Sequence, residues 1–294
     1  MGLREFEFRN YDWNLNLEKE STGWLSFVES LFTASKRNLK SLTLTNCKIM
    51  DSTAALCLGP IVLELETLIL NHADLTCSTL SATTDKFSQW PPHCPEYRKQ
   101  SQDHHVVYLC EDSWLGWLSI SNNLSTLDLS NNSLQGEGAQ ALALIIKNGL
   151  ANLQTLNLDR NGVNDGLEHL LDALTNNSSV TSLSVAQNYA HSEAGFMLAK
   201  VLTSNSTLRS VDYSLNRLDS GALKAVALAL AFNSSSSLIE LSINSTTPQG
   251  EDINWFVKML ECNSTLAIIQ MRSNNIRSEE WPAFARLIEV TNMN

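Results

Sequence analysis

Histidine and cysteine, the residues best suited to metal binding and catalysis, are concentrated in one polar stretch of the sequence. Between Ser81 and Glu111 stand His93, Cys94, His104, His105 and Cys110. Imidazole and thiolate groups are the usual zinc ligands in proteins, so a zinc site is one interpretation of this stretch. None of these residues belongs to a C-x-x-C or H-x-x-x-H pair, and we therefore expect no metal site.

Catalytic motifs are equally hard to find elsewhere in the chain. Acid–base or nucleophilic catalysis needs a nucleophile, a base and an orienting group brought together, and no histidine is paired with a serine or cysteine in a recognisable motif. A glycine-rich phosphate loop is also lacking, since Gly136 and Gly138 mark the start of a predicted helix. We predict a protein that is not an enzyme and that needs no cofactor.

The composition points to a folded, acidic protein. Of 294 residues, 43% are hydrophobic and 17% charged, and 31 Asp and Glu against 20 Lys and Arg give a net charge of −11. This balance argues against nucleic acid as a partner, because phosphate binding needs a basic face. Six dispersed cysteines suit reduced thiols, and no apolar run reaches the ~18 residues that cross a bilayer. We expect a cytoplasmic protein without membrane insertion.

One pattern, Leu-x-x-Leu-x-Leu-x-x-Asn-x-Leu, recurs along the whole chain and is clearest from Leu124 to Leu134. Later copies follow one another at intervals of about 28 residues, which is typical of long leucine-rich repeats with one strand and one helix each. The nine copies, the first of them degenerate, begin at Leu3, Leu39, Leu65, Leu124, Leu153, Val180, Leu208, Leu238 and Leu266.

The spacing within each copy predicts its structure. Leu-x-Leu has the period of a strand with its leucines on one face. The asparagine at the ninth position turns the chain, and its amide can satisfy backbone groups that leave the sheet. Because one repeat cannot bury its leucines alone, neighbours must stack. We predict an α/β leucine-rich-repeat solenoid of about nine repeats, forming a single domain over residues 1–294. The parallel sheet should lie on the concave side of an open arc, with the helices on its convex side.

The chain resembles the ribonuclease-inhibitor-like subclass of leucine-rich repeats over essentially its whole length. Within it, the segment from Asn161 to Tyr189, followed by Ser204 to Asp212, is similar to the CARMIL proteins, which link capping protein and myosin-I at the actin cytoskeleton. In that family the membrane-binding domain and the capping-protein-binding tail lie outside the repeats. The resemblance therefore implies no actin-regulatory residue in this sequence.

One insertion interrupts the repeats. The copies at Leu65 and Leu124 are separated by about one repeat length more than the other copies. The additional segment comprises residues 81–111, which are mostly polar and include three prolines. We predict an irregular loop that enters where a strand passes to a helix. Loops inserted in a rigid solenoid often carry recognition, and its candidate contact residues are Trp90, His93 and Tyr97.

The concave face follows from the phase of the repeat, because positions three, five, seven and eight point away from the leucines. The resulting surface is small, polar and mildly acidic, and its natural complement is a basic or polar protein surface. A merely solvated face is the alternative interpretation. The candidate binding residues are Asp128, Asn157, Asp159, Arg160, Asp212, Leu215 and Glu240, with Leu215 as an exposed apolar anchor.

Several functional interpretations stay open at this stage. The first is a non-enzymatic scaffold that binds a protein through the concave face and the inserted loop. The others are an actin-cytoskeleton module of CARMIL or tropomodulin type, a small-GTPase activator, and a ligand-sensing part of an immune receptor. Neither end shows a distinct polar cap. The three interpretations are capping by the degenerate first repeat and by the last helix, which contains Trp281; a larger parent chain; and self-association through an uncapped end. Recurrent Asn-x-Ser/Thr sequences, as at Asn205 and Asn263, lie at fixed repeat positions and are interpreted as turn residues rather than glycosylation sites.

Overall fold

A computed structural model describes most of the repeats. The described residues are 3–9, 38–47, 61–73, 121–233, 236–246 and 252–274, together with the single positions 30, 31, 33, 58, 75, 118, 278, 281, 282 and 285. The predicted loop at 81–111 lies outside them. The chain forms two compact units, one made of residues 1–133 and 148–152, the other of residues 134–147 and 153–294. Within the described part, no helix is both long and apolar enough to cross a membrane.

The first unit contains four parallel strands in chain order. They are β1 (Glu5–Arg9), β2 (Ser41–Thr45), β3 (Thr67–Asn71) and β4 (Thr126–Asp128). The leucines of the repeat are aligned between neighbours, so that Leu42 pairs with Leu68, and Leu68 with Leu127. This register places equivalent side chains of successive repeats on the same face of the sheet, as the repeat predicts.

The second unit alternates strands and helices. Its parallel strands are β5 (Thr155–Asn157), β6 (Ser182–Ser184), β7 (Ser210–Asp212), β8 (Glu240–Ser242) and β9 (Ile268–Gln270). The helices that follow the strands are α1 (Gln135–Asn148), α2 (Gly166–Leu174), α3 (Ser192–Ser204), α4 (Ser220–Phe232) and α5 (Asp252–Cys262). The fold is the predicted α/β leucine-rich-repeat solenoid class.

The core consists of the leucine positions of the repeats. In β2 and β3, residues alternate between half-buried and fully buried, and the buried ones are the fourth and sixth residues of the repeat. The same positions are closed to solvent at Leu127, Leu156 and Leu183. Helix residues complete the core, since Leu167, Leu170 and Leu171 of α2 are buried at helical spacing. Burial of these side chains is the main stabilising term of the fold.

The ninth-position asparagines connect neighbouring repeats. The Asn216 side chain is buried, and its Oδ1 accepts hydrogen bonds from the backbone amides of Asn188 (2.9 Å) and Ala190 (3.2 Å). Its Nδ2 donates to the carbonyl oxygens of Val185 (2.8 Å) and Tyr213 (3.2 Å). The predicted role of the ninth-position asparagine in its own turn is confirmed. The same side chain also forms hydrogen bonds with the backbone of the preceding repeat. Equivalent bridges are made by Asn132, Asn188 and Asn274.

A second set of asparagines joins each helix end to the next strand. The Asn205 Nδ2 donates to the carbonyl oxygens of Leu174 (2.8 Å) and Asn177 (2.9 Å), while its Oδ1 accepts from the amides of Thr207 and Leu208. Asn263 donates to the Leu230 carbonyl oxygen at 2.7 Å. These two residues belong to Asn-x-Ser/Thr sequences, and the structure confirms their interpretation as turn residues.

Every described eighth position has a left-handed backbone. The residues are Asn46, His72, Asn131, Arg160, Gln187, Leu215, Ser245 and Ser273, with φ between 52° and 59°. This conformation suits glycine and asparagine and strains most other side chains. The strain is tolerated because the turn between strand and asparagine is fixed by hydrogen bonds. One of them runs from the Leu215 amide to the Asn244 carbonyl oxygen at 2.8 Å.

Candidate protein-binding surface

The outward side chains of the strands form the candidate surface, called here the strand face: positions three, five, seven and eight of each repeat. In the second unit it includes Asn157, Asp159, Asp212 and Glu240, which are half-buried. The phase of the repeat predicted this outward orientation, and the structure confirms it. The hydrogen bonds of each side chain show which of these residues stabilise the strands and turns and which are available to a binding partner.

Asp159 connects two neighbouring strands. Its Oδ1 accepts hydrogen bonds from the Ser184 hydroxyl and from the Ala186 amide, both at 2.7 Å. A carboxylate that accepts two short hydrogen bonds is stabilised in its ionised form. Asp159 therefore fixes the ends of β5 and β6 relative to each other. Its charge remains on the strand face.

Acidic and amide side chains at the fifth position stabilise the turn that follows their own strand. Asp212 accepts a hydrogen bond from the amide of Ser214 at 2.9 Å, and Asn157 accepts one from the amide of Asp159 at 3.0 Å. In the first unit, Asp128 binds both the amide and the hydroxyl of Ser130. Amides two residues on are the usual partners of such side chains in turns.

Glu240 links three strands of the second unit. Its two carboxylate oxygens accept hydrogen bonds from the Gln270 amide group (3.2 Å) on β9 and the Ser210 hydroxyl (3.4 Å) on β7. Glu240 itself belongs to β8 and is paired in register with Ser210, whereas Gln270 lies diagonally, two residues beyond the register partner Ile268. Its position is therefore set by both neighbours, which keeps its charge at a defined place.

Three eighth-position residues of the second unit are exposed: Arg160, Leu215 and Ser273. Leu215 is 48% exposed although its side chain is apolar. The predicted exposure of Leu215 is confirmed. At the other described eighth positions the side chain is polar or charged, so Leu215 is an exception to the local pattern. An exposed leucine in a strained backbone conformation is an unusual feature in a stable turn.

The strand face of the first unit contains an open depression of about 440 Å³. Its carboxylates come from Glu5, Glu7 and Asp128, and the Arg9 guanidinium is paired with Glu7. The sequence analysis did not single out Glu5 and Glu7 as binding residues. They occupy the third and fifth positions of the degenerate first repeat, and the outward orientation of these positions could have identified them as surface residues.

Beneath the strand face, Tyr213 occupies a sixth position where the repeat usually has leucine. Its side chain is fully buried, and within the described part of the chain its hydroxyl has no hydrogen-bond partner. Burial raises the pKa of this phenol well above its ordinary value, and the Glu168 carboxylate raises it further. The hydroxyl therefore stays neutral, and it plays no part in the exposed surface.

The predicted loop residues Trp90, His93 and Tyr97 lie outside the described residues. The same holds for the histidines and cysteines considered as zinc ligands. Among the residues that the structure describes, no three His, Cys, Asp or Glu side chains come together in a way that could hold a metal ion.

Comparison with known proteins supports the repeat. A family model described as a leucine-rich repeat matches residues 121–143, the copy with the clearest consensus. No curated protein matches the chain at a significant level.

Several solved structures show a weak similarity to the chain. Leiomodin-1 actin-binding site 2 is 20% identical, with a TM-score of 0.45, over 52% of this chain and 87% of that chain. The tropomodulin C-terminal domain of Caenorhabditis elegans is 13% identical (TM-score 0.44), over 51% and 91% respectively. A chain of the yeast Rad7 and Elc1 complex is 13% identical (TM-score 0.46), over 94% and 65%. At these identities the similarity concerns the fold alone.

Proposed function

We propose that this protein is a non-enzymatic leucine-rich-repeat scaffold of the cytoplasm that binds another protein through its strand face and the segment 81–111. The partner presents a basic or polar surface, because the strand face carries fixed carboxylates. The contact residues in the described part are those predicted from the repeat: Asp128, Asn157, Asp159, Arg160, Asp212, Leu215 and Glu240.

Leu215 is the observation that carries this proposal. A leucine at this position has two costs, since it exposes apolar surface and adopts a left-handed backbone that glycine or asparagine adopts more easily. Neither cost is compensated within the described structure by burial of the side chain. A binding partner that covers the exposed half of Leu215 offsets both costs, because full burial of a leucine side chain contributes about 1.5–3 kcal/mol and roughly half of that contribution is still available. The charges of Asp212 and Glu240 on β7 and β8 then orient that partner.

The hydrogen bonds of the aspartates determine how the proposal is tested. Replacing Asp128, Asp159 and Asp212 by lysine removes structural acceptors as well as charge, so a loss of binding would be ambiguous. Replacement by asparagine keeps the Oδ1 acceptor of each turn and removes only the charge. The test is quantitative affinity purification with wild type and with the triple variant Asp128/Asp159/Asp212→Asn, beside Leu215→Ser.

We expect both variants to lose the same set of partners, with recovery reduced by at least about fivefold. Glu137→Gln is the matched control, because Glu137 is exposed on α1, outside the strand face, and its recovered proteins should equal those of the wild type. Unchanged recovery by the triple variant and by Leu215→Ser would reject the strand face as the binding surface.

The identity of the recovered proteins separates the remaining interpretations. Actin-capping factors would favour the cytoskeletal module, and a small GTPase would call for a turnover assay. Flat hydrolysis rates across a panel of small GTPases would remove the activator interpretation.

A further inference from the structure

A groove between α3 and α4 lies on the helical side of the second unit, away from the strand face. Ala199, Lys200 and Thr203 line it from α3, and Ala225, Leu228 and Phe232 line it from α4. Its volume is about 580 Å³. None of these residues belongs to the candidate surface described above.

The groove exists because the facing residues are small. Toward the beginning of the two helices the backbones approach closely, since a Cβ added at Gly195 would lie 2.7 Å from the Cβ of Ala222. Further along, Ala199, Ala225 and Ala229 face the space between the helices and leave it unfilled. The far end is closed by a hydrogen bond from the Asn233 amide group to the Leu202 carbonyl oxygen.

Large apolar side chains border this groove and are exposed. Phe232 is 79% exposed, and Leu228, one helical turn earlier on α4, is 36% exposed. Phe196 on α3 is also 49% exposed, but it lies beside Gly221 and is not part of the groove lining. A single exposed apolar residue in an unstrained helix is ordinary, but Leu228 and Phe232 lie one turn apart along the same groove, which is typical of an interaction site.

The charges around the groove are positive, in contrast to the acidic chain as a whole. α4 contains no carboxylate, and its one charged residue is Lys224. The Lys200 ammonium shares the Asp172 carboxylate (2.9 Å) with Lys147 (2.8 Å), so this cluster keeps one positive charge. Those two hydrogen bonds lower the pKa of Asp172 to about 2, so the carboxylate stays ionised.

Lysine side chains continue onto the next helix. The Lys224 ammonium lies 4.2 Å from the centre of the Trp255 ring, and Lys258 lies 5.1 Å from it. Cation–π contacts of this kind hold lysine side chains in place. Lys200 therefore lines the groove itself, whereas Lys224 and Lys258 lie on the α5 side of α4, against Trp255.

We propose that this groove binds an acidic amphipathic helix of another protein. The apolar face of that helix lies along Ala199, Ala225, Leu228 and Phe232, and its carboxylates face Lys200. A helix ridge fits the furrow between two packed helices, and Leu228 and Phe232 have the i, i+4 spacing of a helix contact. Lys200 disfavours a basic helix, because like charges at close range are repulsive.

The test uses the full chain and a synthetic probe. The probe is a fluorescein-labelled peptide of roughly 18 residues with leucine at helical i, i+3, i+4 and i+7 spacing and with glutamate and glutamine elsewhere. A second peptide has lysine in place of glutamate. Binding is measured by fluorescence anisotropy at two salt concentrations. Sedimentation with phosphatidylserine vesicles and analytical ultracentrifugation of the protein alone complete the set.

We expect the acidic peptide to bind and the basic peptide to bind at least about tenfold more weakly. Leu228→Ser with Phe232→Ser should weaken the acidic peptide by about tenfold or more. Leu144→Ser on α1 is the matched control: Leu144 is 49% exposed but lies outside the groove, and this variant should bind like the wild type. Lys200→Gln should weaken binding and reduce its salt dependence.

Four outcomes would overturn the proposal. One is the absence of acidic-peptide binding up to about 1 mM. Another is equal binding of both peptides. The third is vesicle binding that needs Phe232, which would identify a membrane as the occupant. The last is concentration-dependent dimerisation that Phe232→Ser abolishes, which would identify a second copy. Thermal unfolding of each variant separates these results from misfolding, and none depends on the strand face.

Discussion

Replacement of Tyr213 by phenylalanine should stabilise the protein. The Tyr213 hydroxyl is buried, and no group in the described part of the chain bonds to it. A buried polar group left without a hydrogen bond costs about 1–3 kcal/mol, whereas removal of one oxygen leaves only a small void. We therefore expect the free energy of unfolding to rise by about 1 kcal/mol, which corresponds to a higher melting temperature by roughly 2–4 °C for a chain of this size.

The same substitution should change the alkaline limb of the stability curve. Because the folded pKa of Tyr213 is raised above its ordinary value of 10.0, the folded state keeps the phenol proton after the unfolded chain has lost it. Stability is therefore retained below pH 10 and falls above it. Between pH 10 and 11 the free energy of unfolding of the wild type should fall about 1 kcal/mol more than that of Tyr213→Phe.

Chemical denaturation at neutral and alkaline pH measures both effects. Tyr189→Phe is the matched control, because Tyr189 is 65% exposed, and its effect should stay within about 0.5 kcal/mol. A neutral-pH loss of 1 kcal/mol or so in Tyr213→Phe would refute the reasoning, since it would mean that the hydroxyl is hydrogen-bonded. An unchanged alkaline limb would refute the account of its ionisation.

Three further substitutions test individual contacts by the same measurement. Asn216→Ala should cost about 3 kcal/mol, because the Asn188 and Ala190 amides and the Tyr213 carbonyl oxygen lose their side-chain partner; a loss below about 0.5 kcal/mol would contradict the bridge. Leu215→Asn should raise stability by about 0.5–1 kcal/mol while weakening partner binding, since asparagine tolerates the left-handed backbone better; a loss of stability would contradict the strain. Asp172→Asn should cost less than roughly 1 kcal/mol, because the ion pairs are exposed. Since the folded pKa of Asp172 is depressed to about 2 from 3.8, the wild-type advantage should be present above pH 4 and disappear as the pH falls through 2; an advantage that persists at pH 1 would contradict the pairing.

The leucine core was predictable from the sequence because strand geometry alone fixes it. Alternate residues of a strand point to opposite faces, so Leu42 and Leu44 had to share one face once a strand was assumed. The helices followed from the spacing of their apolar residues, as in Leu167, Leu170 and Leu171. The bridging asparagines were predicted in kind, although their reach into the preceding repeat depends on how closely the repeats stack.

The structural role of the aspartates was not predictable in the same way. The sequence showed that Asp159 and Asp212 face outward, but the bonds to Ala186 and to the Ser214 amide depend on distances between turns. For Asp128, Asn157 and Asp212 the sequence does hold a usable signal. Each is an Asp or Asn at the end of a strand, where its side chain can accept a hydrogen bond from the backbone amide two residues later.

The groove between α3 and α4 also escaped the sequence analysis. Its exposed residues Leu228 and Phe232 lie in a helix that is apolar on nearly all sides, so periodicity does not separate the buried face from the exposed one. Packing of Gly195 against Ala222 decides which face is buried, and that contact joins two repeats. The left-handed eighth position was missed for a related reason, since residues as different as Leu215 and Arg160 occupy it.

Hydrogen exchange of the full chain, measured with and without the protein recovered by affinity purification, tests the proposed binding surface most directly. The account predicts slower amide exchange after binding in the strand ends and turns, residues 155–160, 182–187, 210–215 and 240–245, where Leu215 and Glu240 lie. Protection that leaves these four segments unchanged and appears only on the helices would contradict it.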